Sequence, residues 1–154
     1  MLSAEETREI EEAFGRYPAK RNVCLEALGV VNRHRGWVSD EAIEDISRLL
    51  EMSPHEVDSV ATFYSLIFRQ EVGRHVILIC DSVSCWLLDY EGIAAHLKQT
   101  LGIDFGETTS DGRFTLLPIP CLGACDHAPA MMVDTDFHGD LTPEKVDEIL
   151  EGYE

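Results

Sequence analysis

Four of the five cysteines fall in two close pairs, Cys80/Cys85 and Cys121/Cys125, each pair directly after a stretch of strand character. HVILIC, residues 75–80, is a continuous apolar run, as expected of a strand buried on both faces. The second pair follows FTLLPIP in the same way. Strand ends on one side of a sheet can lie close together, so a chain with this pattern can present four thiols to one point from two loops, with a redox disulfide or free thiols as the alternatives. The fifth cysteine, Cys24, sits on the apolar side of a predicted helix and reads as a small buried hydrophobe.

The residues before this region have a different rhythm. Residues 4–14 read as a short acidic helix. Residues 20–34 read as a second, with Val23, Ala27, Val30, Val31 and His34 on one face and Gly36 as its stop. Ser39, Asp40 and Glu41 open a third that buries Ile43, Ile46, Leu49 and Leu50. Ser53, Pro54 and Glu56 carry the marks of a capping box for a fourth, with Val57, Val60, Ala61 and Phe63 along it. Beyond residue 73 the expected order is β-α-β-β-α with room for a further strand pair: the strand at 75–80, a helix at about 91–101 and a hairpin over TTSDGRFTLLPI turning at Asp111-Gly112. A strand over 130–134 follows, then a final helix capped by Thr142 and Pro143. The fold class expected is α+β: an N-terminal helical bundle over 1–72, then an α/β domain over 73–154.

Charge narrows the partners. The chain of 154 residues has a net charge of −17. Residues 1–72 hold 14 acidic and 8 basic side chains, net −6, and residues 73–154 hold 15 and 4, net −11. A phosphate backbone or an anionic membrane surface is repelled by such a chain, so neither nucleic acid nor direct membrane insertion is expected. No apolar run reaches the roughly 18 residues of a membrane span. The acidic N-terminus lacks a basic region followed by an apolar stretch, so no secretory signal is expected and the reducing cytosol is the default compartment.

Clustered cysteines in that compartment point to metal binding or redox work. Four thiolates suit Zn²⁺ or an iron–sulfur cluster. Zinc knuckles favour two residues between cysteines; here the gaps are four and three, which suit the wider object, and Ser82, Ser84, Gly123 and Ala124 leave room for backbone N–H groups to approach sulfur. A thioredoxin-type dithiol needs C-x-x-C, which neither pair has. A purely structural four-cysteine zinc module remains open on spacing alone. No nucleophile–base arrangement and no Gly-rich phosphate loop is readable.

C-x4-C, 35 residues, then CLGAC-x-x-AP-x-M-x-V, together with GWVSDEAI, VATFYSLIFRQEVGRHVI and TTSDGRFTLLPIPCLGAC, resembles the thioredoxin-like 2Fe-2S ferredoxin family of respiratory complex I. The likeness covers nearly the whole chain. It implies a thioredoxin-like domain with one 2Fe-2S cluster on Cys80, Cys85, Cys121 and Cys125. It also implies a flavin subunit that binds NADH and FMN, a large iron–sulfur subunit beside it, and a place as a soluble peripheral subunit on the cytoplasmic side of the inner membrane. Relatives in NAD-linked hydrogenases and formate dehydrogenases share the ligand pattern. A free-standing ferredoxin is disfavoured by the helical first half. The family often has glycine where this chain has Asp89, which puts that loop's backbone in question. The expected potential is that of plant-type ferredoxins, roughly −400 mV or somewhat above. His127 reads as an exposed loop residue, Met131 and Met132 as strand packing, and Phe63, Tyr64 and Phe68 as core packing near the boundary.

Overall fold

Local capping chemistry builds the first half of the chain, at Ser39 and Ser53 as the sequence predicts and at Ser3 in addition. In the computed structural model, which describes residues 1–153, Ser3 and Ser53 each form a full capping box, with Glu6 and Glu56 respectively. Ser39 accepts from the Ala42 N–H. Four helices result: α1 (Ala4–Ala13), α2 (Cys24–Arg35), α3 (Asp40–Leu50) and α4 (Pro54–Phe63). The second expected helix begins late. Lys20–Val23 is a 3-10 turn, and the α-helix starts only at Cys24, because no side chain caps it at Val23. Ile10, Leu28, Val31, Ile46, Leu50, Val57 and Ala61 form one core.

The chain divides into two compact units, Met1–Glu71 and one beginning at Val72. Within the first, Asn32 ties α2 to the segment after α4: it donates to the Leu66 carbonyl at 3.2 Å and accepts from the Phe68 N–H at 3.0 Å. Arg69 bridges Asp58 at 2.9 Å and Asp40 at 2.6 Å and also reaches the Val38 carbonyl. The expected burial of Phe63 is wrong. It is 80% exposed, and Tyr64, edge-on to it at 5.3 Å, is 43% exposed. Val57 and Ala61 define the inner stripe of α4, and a residue two positions past Ala61 points about 200° around the helix from it. Phe68 is half-buried. His34 is not a core residue either; it pairs with Glu9 at 2.8 Å.

The second unit is a four-stranded sheet, β2-β1-β3-β4 in spatial order, with β1 at His75–Cys80, β2 at Phe114–Ile119, β3 at Met131–Val133 and β4 at Asp136–His138. β1 and β2 run parallel in register, His75 opposite Phe114 and Cys80 opposite Ile119. The crossover between them carries α5 (Val83–Leu87) and α6 (Tyr90–Leu101). β3 returns antiparallel to β1, and β4 antiparallel to β3. Ile77, Ile79, Phe114, Leu116, Met131 and Val133 pack with Ile93 and Leu97 of α6 and with Val146 and Leu150 of α7 (Pro143–Glu151). Met131 is thus a packing residue, as expected.

The expected hairpin at Asp111-Gly112 forms with a short first arm, in which the Leu116 N–H donates to the Glu107 carbonyl at 3.2 Å and the Gly106 N–H to the Leu116 carbonyl at 2.8 Å. Thr109 accepts from Gly112 and donates to Phe114, and a single antiparallel bridge joins Thr108 to Thr115. The first arm, Glu107 to Ser110, is short and polar and lies largely exposed. The apolar second arm gains more by pairing along its whole length with β1, where its side chains leave water.

Candidate metal centre

A parallel register delivers both cysteine loops to the same edge of the sheet. Because Cys80 lies opposite Ile119, the chain leaves β1 and β2 side by side. Cys80 is the last residue of β1 and is buried. Cys85 is not in a loop, as the spacing suggests, but in the short helix α5, where it too is buried. The two pack in one buried cluster, and both Cys80 and Cys125 are close enough to act electrostatically on Cys85. Burial, with the Cys80 thiol alongside, pushes the Cys85 thiol up to about 11. Cys121 and Cys125 are exposed, the latter opening a 3-10 turn over Cys125–His127.

A backbone donor is already turned to sulfur. The Gly123 N–H donates to Cys121 Sγ at 3.3 Å. The Ala130 backbone lies close enough to Cys85 to favour its thiolate, and the Ala130 carbonyl accepts from the Cys80 N–H at 3.0 Å. Tyr90, Ile119, Leu122 and Ala128 pack around the buried pair. Among the described residues no three His, Cys, Asp or Glu side chains converge as tightly as one ion requires. A binuclear cluster asks for something else: thiolates only, spread over a larger object, with N–H groups directed at sulfur. The donor set, four thiols with the Gly123 N–H already bonded to one of them, fits that group. A metal bound there would hold these cysteines as thiolates by its positive charge, against the burial that favours the protonated form.

The question at Asp89 is answered by its backbone, which is left-handed at φ 70 and ψ 35. The position therefore needs the conformation that glycine adopts freely, and Asp tolerates it better than most residues. Its carboxylate fills the space over Gly92, so that a Cβ there would collide with it. Asp89→Gly is expected to keep the folding free energy within about 1 kcal/mol, whereas Asp89→Val should cost about 1–3 kcal/mol, both read from denaturant midpoints.

His127 is exposed, as expected, and paired: Nδ1 lies 2.9 Å from Asp140, which pushes the imidazole above its ordinary range. Sequence reasoning missed three features. Ala130 carries no chemical signal in its side chain, because only its backbone acts. Asp140 reaches His127, just after the second cysteine pair, from 13 residues away. Val83, Trp86, Leu87 and Leu88, at 66%, 56%, 70% and 53% exposure, make an apolar patch around Cys85; the run WLL after Cys85 was its legible sign. A cavity of about 600 Å³ lined by Thr100, Arg113 and Asp147 touches Phe114, at the other end of β2 from Cys121, and takes no part in the site.

Residues 10–154 match the model of the thioredoxin-like [2Fe-2S] ferredoxin family. The chain is 53% identical over 152 residues to the E-type subunit of NADH-quinone oxidoreductase from Escherichia coli, covering 99% of this chain and 92% of that protein. It is 48% identical over 153 residues to the protein of the same name from Pseudomonas aeruginosa, with the same coverage. Among solved structures, an NAD⁺-reducing [NiFe]-hydrogenase in the air-oxidised state is similar at TM-score 0.70 and 24% identity over 80% of this chain, which spans 22% of that one; this likeness speaks for the fold alone. The match over nearly its whole length and the cysteine edge together place the chain in the thioredoxin-like [2Fe-2S] ferredoxin family, among the E-type subunits of NADH-quinone oxidoreductases.

Proposed function

We propose that Cys80, Cys85, Cys121 and Cys125 hold one [2Fe-2S] cluster, and that the chain exchanges single electrons with the FMN of a partner flavin subunit that binds NADH. The reading extends to a neighbouring large iron–sulfur subunit and to a place on the cytoplasmic side of the inner membrane, held there by those partners. No helix among the described residues is long and apolar enough to cross a membrane. Residues 1–72 serve as a helical domain and 73–154 as the cluster domain. The observation that carries this reading is the parallel register of β1 and β2, which sets Cys80 opposite Ile119 so that the two cysteine-bearing segments leave the sheet side by side, with the Gly123 N–H on the Cys121 sulfur at 3.3 Å.

When bound, the cluster supplies a one-electron couple. The chain's residues do the rest. The Gly123 N–H and the Ala130 backbone stabilise negative charge on sulfur, which opposes the unfavourable field of the surrounding acids. Ile119, Leu122, Ala128 and Tyr90 exclude water from the inner pair. Val83, Trp86, Leu87 and Leu88 supply an apolar face beside the centre, bordered in sequence by Asp81, Asp89 and Glu91. Such a face fits a partner surface with an apolar centre and a basic rim.

Iron, sulfide and zinc analysis of anaerobically purified protein tests the ligand reading, with electron-spin resonance after dithionite. Two irons and two sulfides per chain, with a spin-half signal only on reduction, is the expected result. One zinc and no sulfide, persisting through iron reconstitution, would leave a structural module instead. For the partner, Leu87→Glu is expected to weaken association with the flavin subunit about 10-fold or more, since one buried Leu is worth about 1.5–3 kcal/mol. Unchanged co-purification of that variant at dilution would remove the patch from the interface.

A further inference from the structure

The loop that carries Cys121 and Cys125 is held from outside by the segment leading into α7. The His127 carbonyl accepts from the Asp140 N–H at 2.7 Å, and His127 Nδ1 meets Asp140 Oδ2 at 2.9 Å. One residue on, the Leu141 N–H donates to the Pro129 carbonyl at 3.1 Å. Gly139 makes the approach possible: a Cβ there would stand 2.5 Å from His127 Cβ and 2.8 Å from its carbonyl oxygen. These are parts of the chain that cannot swing aside. Asp140 adopts φ 51, which turns its N–H and its carboxylate toward the same residue. The anchor itself is firm, since Leu141 is buried in the sheet core and Thr142 caps α7.

On the other side, the loop reaches the buried pair. The His127 N–H donates to the Ala124 carbonyl at 3.0 Å, closing the turn that starts at Cys125. Ala130 then accepts from the Cys80 N–H at 3.0 Å through its carbonyl and packs against Cys80 and Cys85. Asp140 therefore touches no cysteine, yet a continuous set of contacts runs from it to Cys125 and to the inner thiols.

We propose that Asp140, acting through His127 across Gly139, is a positioning residue that sets where the Cys121–Cys125 loop presents its thiols relative to Cys80 and Cys85. The proposal rests on the ligand reading above. Its content is geometric: Asp140 is exposed, and a hydrogen-bond acceptor that tolerates a left-handed backbone is what the place requires. Asn meets both demands without charge. Gly meets only the second.

The test compares wild-type full-length protein with Asp140→Gly, Asp140→Asn and Gly139→Ala, each purified anaerobically. Iron release to a ferrous chelator is followed, and the spin signal of the reduced protein is recorded. Asp140→Gly is expected to release iron about 10-fold faster or more, the lower range for loss of an outer hydrogen-bond partner at a metal site, and to shift its g-values. Gly139→Ala should do the same by prying the two segments apart. Asp140→Asn should stay within about twofold of wild type in release and keep its g-values. Wild-type release and g-values in Asp140→Gly overturn the proposal, as does an Asn variant that behaves like the Gly variant, because charge and not position would then be at work. A wild-type protein without iron and sulfide overturns the ligand reading, and this proposal with it. A wild-type protein with both, beside an unaffected Asp140→Gly, overturns the proposal alone.

Discussion

Cys121→Ala protein, purified anaerobically, is expected to lose the cluster: iron and sulfide fall well below two per chain, and the spin signal after dithionite disappears. The choice of cysteine makes the result readable. Cys121 is exposed, and its only hydrogen bond given by the structure is from Gly123, two residues on. Removing a surface thiol changes folding by roughly ±0.5 kcal/mol, so lost iron cannot be charged to a lost fold. Cys80 and Cys85 are buried, and their substitution would confound the two effects. Cys24→Ala is the matching control. That thiol is buried in the helical unit, where burial pushes it up to about 11, and it has no place among the ligands. Iron content should be unchanged in it. A Cys121→Ala protein with a full complement of iron and sulfide would show the assignment of ligands to be wrong.

Arg35→Ala is expected to destabilise the helical unit by about 3–5 kcal/mol at neutral pH, the range for stranding one member of a buried ion pair. Glu6 is 2% exposed and accepts from Arg35 Nε and Nη2, both at 2.6 Å, and from the Ser3 N–H at 2.7 Å. The Arg35 guanidinium beside it holds the carboxyl at about 2, against an ordinary 4.5. The sign follows from the depressed value: the stabilisation is present above pH 4.5, where the unfolded chain is also ionised, and is lost as pH falls toward 2. A shift of this size corresponds to about 3 kcal/mol across that window. Wild type should therefore weaken steeply between pH 4.5 and 2, and Arg35→Ala much less, when urea midpoints are followed by far-ultraviolet circular dichroism. Parallel profiles for the two proteins would show that the pair contributes nothing to acid sensitivity.

The site was legible to the extent that its chemistry lies in side chains. Two cysteine pairs, each at the end of an apolar run, already suggest two strand ends that can meet. Ala130 and Gly139 were not legible, because one acts through its backbone and the other through an absent Cβ. Asp89 lies between. As a departure from glycine it raised a question in the sequence, and its left-handed backbone answers why glycine suits the place. Phe63 failed for a simpler reason. Its apolar character was read as burial, but the inner stripe of α4 belongs to Val57 and Ala61.

By itself the sequence determined what short-range physics controls. Ser3, Ser39, Ser53 and Thr142 start helices because their side-chain oxygens meet N–H groups three residues on. The apolar run at 75–80 makes a strand, and the net charge of −17 turns away polyanions. Tertiary structure decided which strand pairs with which. FTLLPI folds back on its own turn over its first residues only, and along its other edge it lies parallel to a strand about 39 residues earlier, where its full length pairs. That choice brings Cys80 beside Ile119, and so brings the two cysteine loops to one edge. Asp140 meets His127 for the same kind of reason: β3 and β4 must first pair before the chain that follows them can return to the loop that precedes them.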